Sequence, residues 1–249
     1  MTTNESEPSP GEQRRHFATT HWSIFVAAGA VQHEEAQDAL SELCETYWLP
    51  LYAYVRRRGY SAPDAQDLTQ GFFTRLLEKQ TLQVADPQRG KFRSFLLASV
   101  DHFLANERDR AAAKKRGGGR AQLSLDLATA ESCVSLEPAH ELTPERLYER
   151  QWALTLLDLV VRRLDAEFQE AGKQRQFELL KDALSGDRER LPYVEVAAAL
   201  GMSVEAARQS AHRMRKRYRA LLREEVTRTV VDPSDVDEEL ANLFDALGN

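Results

Sequence analysis

Side chains able to ligate a metal or attack a substrate are scattered along this chain. The six histidines never stand at metal-ligand spacing from one another or from a cysteine, and Cys44 and Cys133 lie far apart without a CxxC. No GxxxxGK phosphate loop is present, and Gly117 to Gly119 have neither a strand before them nor a capped helix after them. The carboxylates of Asp232 to Glu239 flank Leu240 and Leu243, the pattern of a solvated helix face. No catalytic group, metal or cofactor is therefore expected. The concentrated chemistry is cationic. Arg208, Arg213, Arg215, Lys216, Arg217, Arg219 and Arg223 follow one another without an intervening acid, enough charge to hold a phosphate backbone.

The elements that would present those cations are legible upstream. After Pro192, which suits a first helical turn, Val196, Ala197 and Leu200 form an apolar face. Gly201 stands where that helix must end, and Ser203 can cap the amides of a second one. Ala206, Ala207, Ala211 and Met214 give the second helix a stripe of mostly small residues, which lets two helices cross closely. The stretch from Tyr193 to Leu222 thus predicts a helix-turn-helix running into a basic extension; the plainer alternative is a helical hairpin with a solvated basic face.

The rest of the chain predicts an all-α protein of two helical domains joined by a flexible linker. At 42% hydrophobic and 29% charged it can bury one or two modest cores, and no apolar run is long enough to span a bilayer. Residues 1–18 lack a signal-like apolar core and read as a disordered tail, so a cytoplasmic location is expected. A net charge of −6 confines DNA binding to local patches.

In the first block, 19–116, Thr20 can cap a short helix. Leu40, Leu43, Tyr47, Leu51 and Tyr54 then recur at helical spacing between Glu35 and Arg58, with a kink expected at Pro50 and an end at Gly59. Ser61 and Asp64 resemble a capping box, and Ala65, Leu68, Phe72 and Leu76 form the inner face of the next helix, with Asp64, Asp67, Gln70 and Arg75 on the other. A further helix begins at Phe92, burying Phe95, Leu96, Ser99, Phe103 and Asn106 to varying degree. Residues 117–142 carry three successive glycines and no periodicity, a linker that leaves the halves free to move. The second block, 143–225, opens with the cap Thr143 and Pro144 on a long helix to about Ala171, with Leu147, Leu154, Leu157, Val161, Leu164 and Phe168 on one side; Phe177, Leu180 and Leu184 follow after Gly172. The extension 226–249 is acidic: Glu224 to Asn249 hold eight acids against Arg228, mirroring the basic run before them. Val236, Leu240, Leu243 and Leu247 predict a short helix capped by Asp232 and Pro233, folded back on its own domain or engaging a regulator.

This arrangement resembles the extracytoplasmic-function sigma factors of bacterial RNA polymerase, from about Thr20 to Glu225. The carriers are RRRGYSAPDAQDLTQGFFTRLLE (Arg56 to Glu78), similar to the family's core-polymerase-binding helix, GKFRSFLLASVDHFLANERDRAAAKKR (Gly90 to Arg116), similar to its promoter-melting segment, and the helix-turn-helix. THWS near the amino terminus, GGGR in the linker and the VDPSDVDEEL tail look like extended planctomycete-like variants.

The resemblance implies a sigma factor that binds core polymerase at its clamp helices and flap region and directs initiation at promoter DNA. Asp64, Asp67, Gln70 and Arg75 are then the polymerase contacts. Gln66 replaces an acid of the family pattern, and Thr69 stands where phosphorylation by a Ser/Thr kinase can restore charge. Lys91, Arg93, His102, Asn106, Arg110, Lys114, Lys115 and Arg116 fall to the minus-10 element, with His102 and Asn106 on one helical face as base-edge contacts. Ser203, Glu205, Arg208, Gln209, His212, Arg213, Arg215 and Arg217 fall to the minus-35 element. Where many relatives read VKSRL this chain has Ala207-Arg208-Gln209-Ser210-Ala211, placing Ser210 where an arginine is common. An anti-sigma protein is a further expected partner, and no membrane is. Two rival readings are a stand-alone helix-turn-helix regulator and a helical adaptor in a phosphorylation pathway.

Overall fold

The computed structural model describes residues 21, 34–76, 91–113, 142–184 and 192–248, and all regular structure among them is helical. The first block contributes α1 (Glu34–Arg57), α2 (Ala62–Leu76) and α3 (Phe92–Ala113). The second contributes α4 (Pro144–Glu170), α5 (Gln174–Leu180) running into a 3-10 turn (Lys181–Leu184), α6 (Tyr193–Leu200) and α7 (Val204–Thr229). A 3-10 turn (Pro233–Asp235) then leads into α8 (Val236–Gly248). None of these helices is long and apolar enough to cross a membrane.

Local chemistry sets the helix ends. The Ser61 hydroxyl accepts from the Asp64 amide at 3.3 Å and donates to its carboxylate at 2.6 Å, which fixes the entry to α2. Thr143 accepts from the Arg146 amide with Pro144 in the first turn of α4. Asp232 accepts from the Ser234 amide at 2.8 Å, as the acidic extension predicts. The basic helix continues past the expected boundary at 225, so Glu224 and Glu225 belong to the last turns of α7 rather than to a separate tail. Helix α1 continues through Pro50 to Arg57.

Packing departs from sequence order. The most extensive helix contact is α1 on α4, which joins the two blocks; α4 also receives α7 and α8. The blocks that the sequence leads us to read as independently mobile thus share a core in this structure, with Tyr47, Leu51, Tyr54, Tyr148, Trp152 and Leu156 all buried. Arg57 reinforces the junction by donating to the Leu142 carbonyl from Nε at 3.0 Å and Nη2 at 2.8 Å. Leu142 apart, the linker lies outside the described residues, as do residues 1–18.

The inner face of α4 keeps the predicted Leu147 and Leu164, both buried, but is wider than its leucines predict. Leu154 is 38% exposed and Leu157, Val161 and Phe168 are half-buried, whereas Tyr148, Gln151, Trp152, Ala153, Leu156 and Val160 are buried. A helix packed on three neighbours buries more than one stripe, and its aromatic residues take the centre. In α3 the buried set is Phe92, Leu96, Val100, Phe103 and Leu104, while Phe95 and Ser99 are half-buried and Asn106 is exposed.

Candidate nucleic-acid interface

Helices α6 and α7 are joined by a short turn whose backbone requires glycine. Gly201 adopts φ +64°, ψ +34°, and its amide closes onto the Ala198 carbonyl at 3.3 Å. Ser203 then caps α7 by accepting from the Ala206 amide at 3.1 Å. The hydroxyl expected at DNA is therefore also the start signal of the helix. Beyond the cap, α7 has two clean faces. Ala207, Ser210, Ala211 and Met214 are buried against the rest of the domain, and Glu205, Arg208, Gln209, His212 and Arg213 are exposed. Spacings of three and four residues within each set put the latter on one solvent-facing stripe.

Two of those cations are oriented. The Arg208 guanidinium lies 5.8 Å from the Tyr193 ring centroid, and Arg213 donates from Nη2 to the Ser210 hydroxyl at 3.0 Å. Ser210 is thus a buried anchor for Arg213, beneath the exposed stripe.

Further along α7 the charges are engaged inside the protein. Arg217 grips Glu167 of α4 with two nitrogens, Nε at 2.9 Å and Nη2 at 2.6 Å, and meets Glu224 at 3.1 Å through Nη1. Hydrogen bonding to Arg217 holds the Glu167 carboxyl below its ordinary range. Arg163 of α4 pairs with Glu225 and, at 3.3 Å, with Glu224. Arg215 is half-buried with Nη1 enclosed away from any partner. Arg215 and Arg217, expected at DNA, therefore lie off the exposed stripe; Arg217 is a strut between α7 and α4.

On α3, His102 and Asn106 are exposed one helical turn apart, as their spacing predicts. Arg110 is exposed and paired with Glu107 at 2.7 Å. Nearby, Arg108 donates to the Tyr60 hydroxyl at 2.8 Å with its guanidinium 5.7 Å from that ring's centroid. Lys114, Lys115 and Arg116 fall outside the described residues.

The start of α3 overturns the sequence reading most. Arg93 is buried, not displayed: Nε and Nη2 reach Glu239 at 2.6 and 3.2 Å, Nη1 reaches Glu149 at 2.7 Å, and the guanidinium lies 4.7 Å from the Trp152 ring centroid. Tyr148 donates to the Arg93 carbonyl at 2.9 Å. Lys91 meets Glu238 and Glu239, each at 2.8 Å. Burial alone would raise the Glu239 carboxyl, but Arg93 and Lys91 outweigh it and hold it below its usual range. Glu239, which reads as part of a solvated acidic face, is fully enclosed at 0% exposure. Alongside, the buried His21 ring lies against Tyr47 and Phe92, with Nδ1 at 3.0 Å from the Tyr47 hydroxyl. Burial, with the Arg228 charge, lowers its pKa to about 3.

On α2, Asp64 and Asp67 are exposed and Arg75 half-buried, whereas Gln70 is buried. Thr69 is fully buried and donates to the Ala65 carbonyl at 2.7 Å, so its hydroxyl is closed to a kinase in this fold. Both residues point inward because α2 packs on α1 and α3 simultaneously. Among the described residues no cluster of His, Cys, Asp or Glu could hold a metal ion.

No family model, curated protein or solved structure matches this chain.

Proposed function

We propose that the chain is a sigma factor of the extracytoplasmic-function type, which binds core RNA polymerase and reads the two elements of a promoter. The observation that carries this is the α6–Gly201–α7 unit: a glycine-closed turn, a capped second helix, a small-residue inner face and an outer stripe of Glu205, Arg208, Gln209, His212 and Arg213. A helix displayed in this way, with arginine and glutamine in its first three turns, suits insertion into the major groove at the minus-35 element.

Two further surfaces favour a sigma factor over a stand-alone regulator. His102 and Asn106 lie together on the exposed face of α3, suited to the minus-10 strand, and Asp64 and Asp67 are exposed on α2, suited to basic clamp helices. A lone helix-turn-helix regulator needs neither surface. In this reading residues 19–116 and 143–225 carry the two promoter-reading surfaces. The protein acts in the cytoplasm and needs no cofactor.

Co-elution with bacterial core RNA polymerase in the absence of DNA tests this choice. The full chain should co-elute, and the Asp64→Lys/Asp67→Lys variant should not. A folded wild-type chain that binds promoter duplex but never co-elutes with core polymerase would assign it to the stand-alone regulators.

A further inference from the structure

Charge is segregated in this chain: seven cations from Arg208 to Arg223 are followed by eight acids and one arginine from Glu224 to Asn249. The acids do not simply solvate the end of the molecule. Three in succession, Asp237, Glu238 and Glu239, reach cations from both blocks. Asp237 takes Arg223 of α7 with Nη1 and Nη2 at 2.7 and 2.6 Å, Glu238 takes Lys91, and Glu239 takes Lys91 together with the fork of Arg93. Both Arg223 nitrogens converge on one oxygen, Oδ1 of Asp237, and Lys91 holds two carboxylates, contacts that phosphate oxygens can replace.

The apolar hold of α8 is modest. Val236 and Leu243 are buried, Leu240 and Leu247 are half-buried, and Phe244 points outward at 56% exposure. The Asp237 and Glu238 side chains are 80% and 70% exposed, so their pairs add little and weaken with salt. Glu239 is the one deeply seated acid of the three.

We propose that α8 is an intramolecular latch: its carboxylates occupy Lys91 and Arg223 in place of nucleic-acid phosphates, while the buried Arg93–Glu239 pair seats the helix, and the packed chain is a self-inhibited state that opens when α8 is displaced. The proposal rests on the reading of Lys91 as a phosphate contact. Because α8 docks on α4 and α7 while gripping the first turn of α3, its release also removes a clasp between the two blocks.

The test compares the full wild-type chain with Glu238→Gln/Glu239→Gln, with Leu243→Ala, which loosens α8 and keeps every charge, and with Lys91→Gln added to the first variant. Fluorescence anisotropy on a forked DNA carrying a single-stranded arm, at one fixed salt concentration, should show the first two binding about tenfold more tightly than wild type, since a larger fraction is competent. Adding Lys91→Gln should reverse the gain. In the wild-type chain, adding the DNA should accelerate amide exchange across 236–247. Folded variants that bind like wild type, or α8 amides indifferent to DNA, would overturn the latch. Tighter DNA binding without core-polymerase binding would instead sink the sigma-factor reading and leave the latch standing.

Discussion

Replacing Glu239 with alanine removes one side of the Arg93 pair and leaves the guanidinium buried. Breaking a buried ion pair from one side costs about 3–5 kcal/mol, because the remaining charge has lost its compensation. Arg93 keeps Glu149, whose side chain is 44% exposed, and the Trp152 face, which places Glu239→Ala near the lower end, about 3 kcal/mol. For a chain of this length each kcal/mol moves the melting midpoint by roughly 2–4 °C, so the variant should melt roughly 6–12 °C below wild type.

The partner change gives the sharper measurement. Arg93→Met/Glu239→Leu replaces the pair with apolar groups and should recover most of the loss, so that a double-mutant cycle shows a coupling of about 2 kcal/mol or more. The pH dependence has a definite sign. A carboxyl held below its unfolded pKa stabilises above that pKa, and the contribution disappears as pH falls through the folded value, so wild type and Glu239→Gln should converge in stability on acidification. Circular dichroism melts and urea titrations of wild type, Arg93→Met, Glu239→Leu and their double variant close the cycle, and those of Glu239→Ala and Glu239→Gln give the other two differences. A loss under about 1 kcal/mol for Glu239→Ala, or an additive cycle, would refute the buried pair and with it the docking of α8.

Acid should also act through His21. Its pKa falls from 6.5 unfolded to about 3 folded, so its contribution is complete above 6.5 and shrinks as pH drops towards 3; at pH 5 about 2 kcal/mol should already be gone. A stability profile of His21→Asn that keeps the full wild-type slope between pH 6.5 and 5 would contradict this. Ser203→Ala should cost about 1 kcal/mol and speed amide exchange in the first turn of α7, while Ser203→Asp keeps the cap; equal exchange in the two variants would remove Ser203 from that role. Gln209→Ala should lower discrimination at one base pair by about 1–3 kcal/mol, and Lys216→Ala, on the exposed side of α7, should weaken binding evenly across sequences. Binding to a panel of duplexes separates these two outcomes, and uniform weakening by Gln209→Ala would place it outside the reading face.

Helix ends were legible because their causes are local. Thr143 with Pro144, Ser203 behind Gly201, and Asp232 before Pro233 each satisfy amides within a few residues, so sequence spacing carries the whole cause. The inner stripe of α7 was legible for the same reason. What spacing could not carry was the choice between neighbours. Arg93 and Glu239 are 146 positions apart, and each in isolation resembles an ordinary surface charge. Their burial depends on α8 crossing α4 beside the start of α3. Tyr148 and Trp152 were likewise passed over in favour of a leucine stripe, although two aromatics one turn apart mark the face that can fill a three-way helix junction. Thr69 shows the converse: a hydroxyl in a suggestive position is unavailable once its helix has neighbours on two sides.

Run-off transcription on genomic fragments with purified core RNA polymerase, with and without the full chain, tests the central claim most directly. Specific transcripts should appear only with the protein and should be lost with Arg208→Ala/Arg213→Ala. Transcription from core polymerase that is indifferent to the folded protein, with or without its α8 latch, would contradict the assignment.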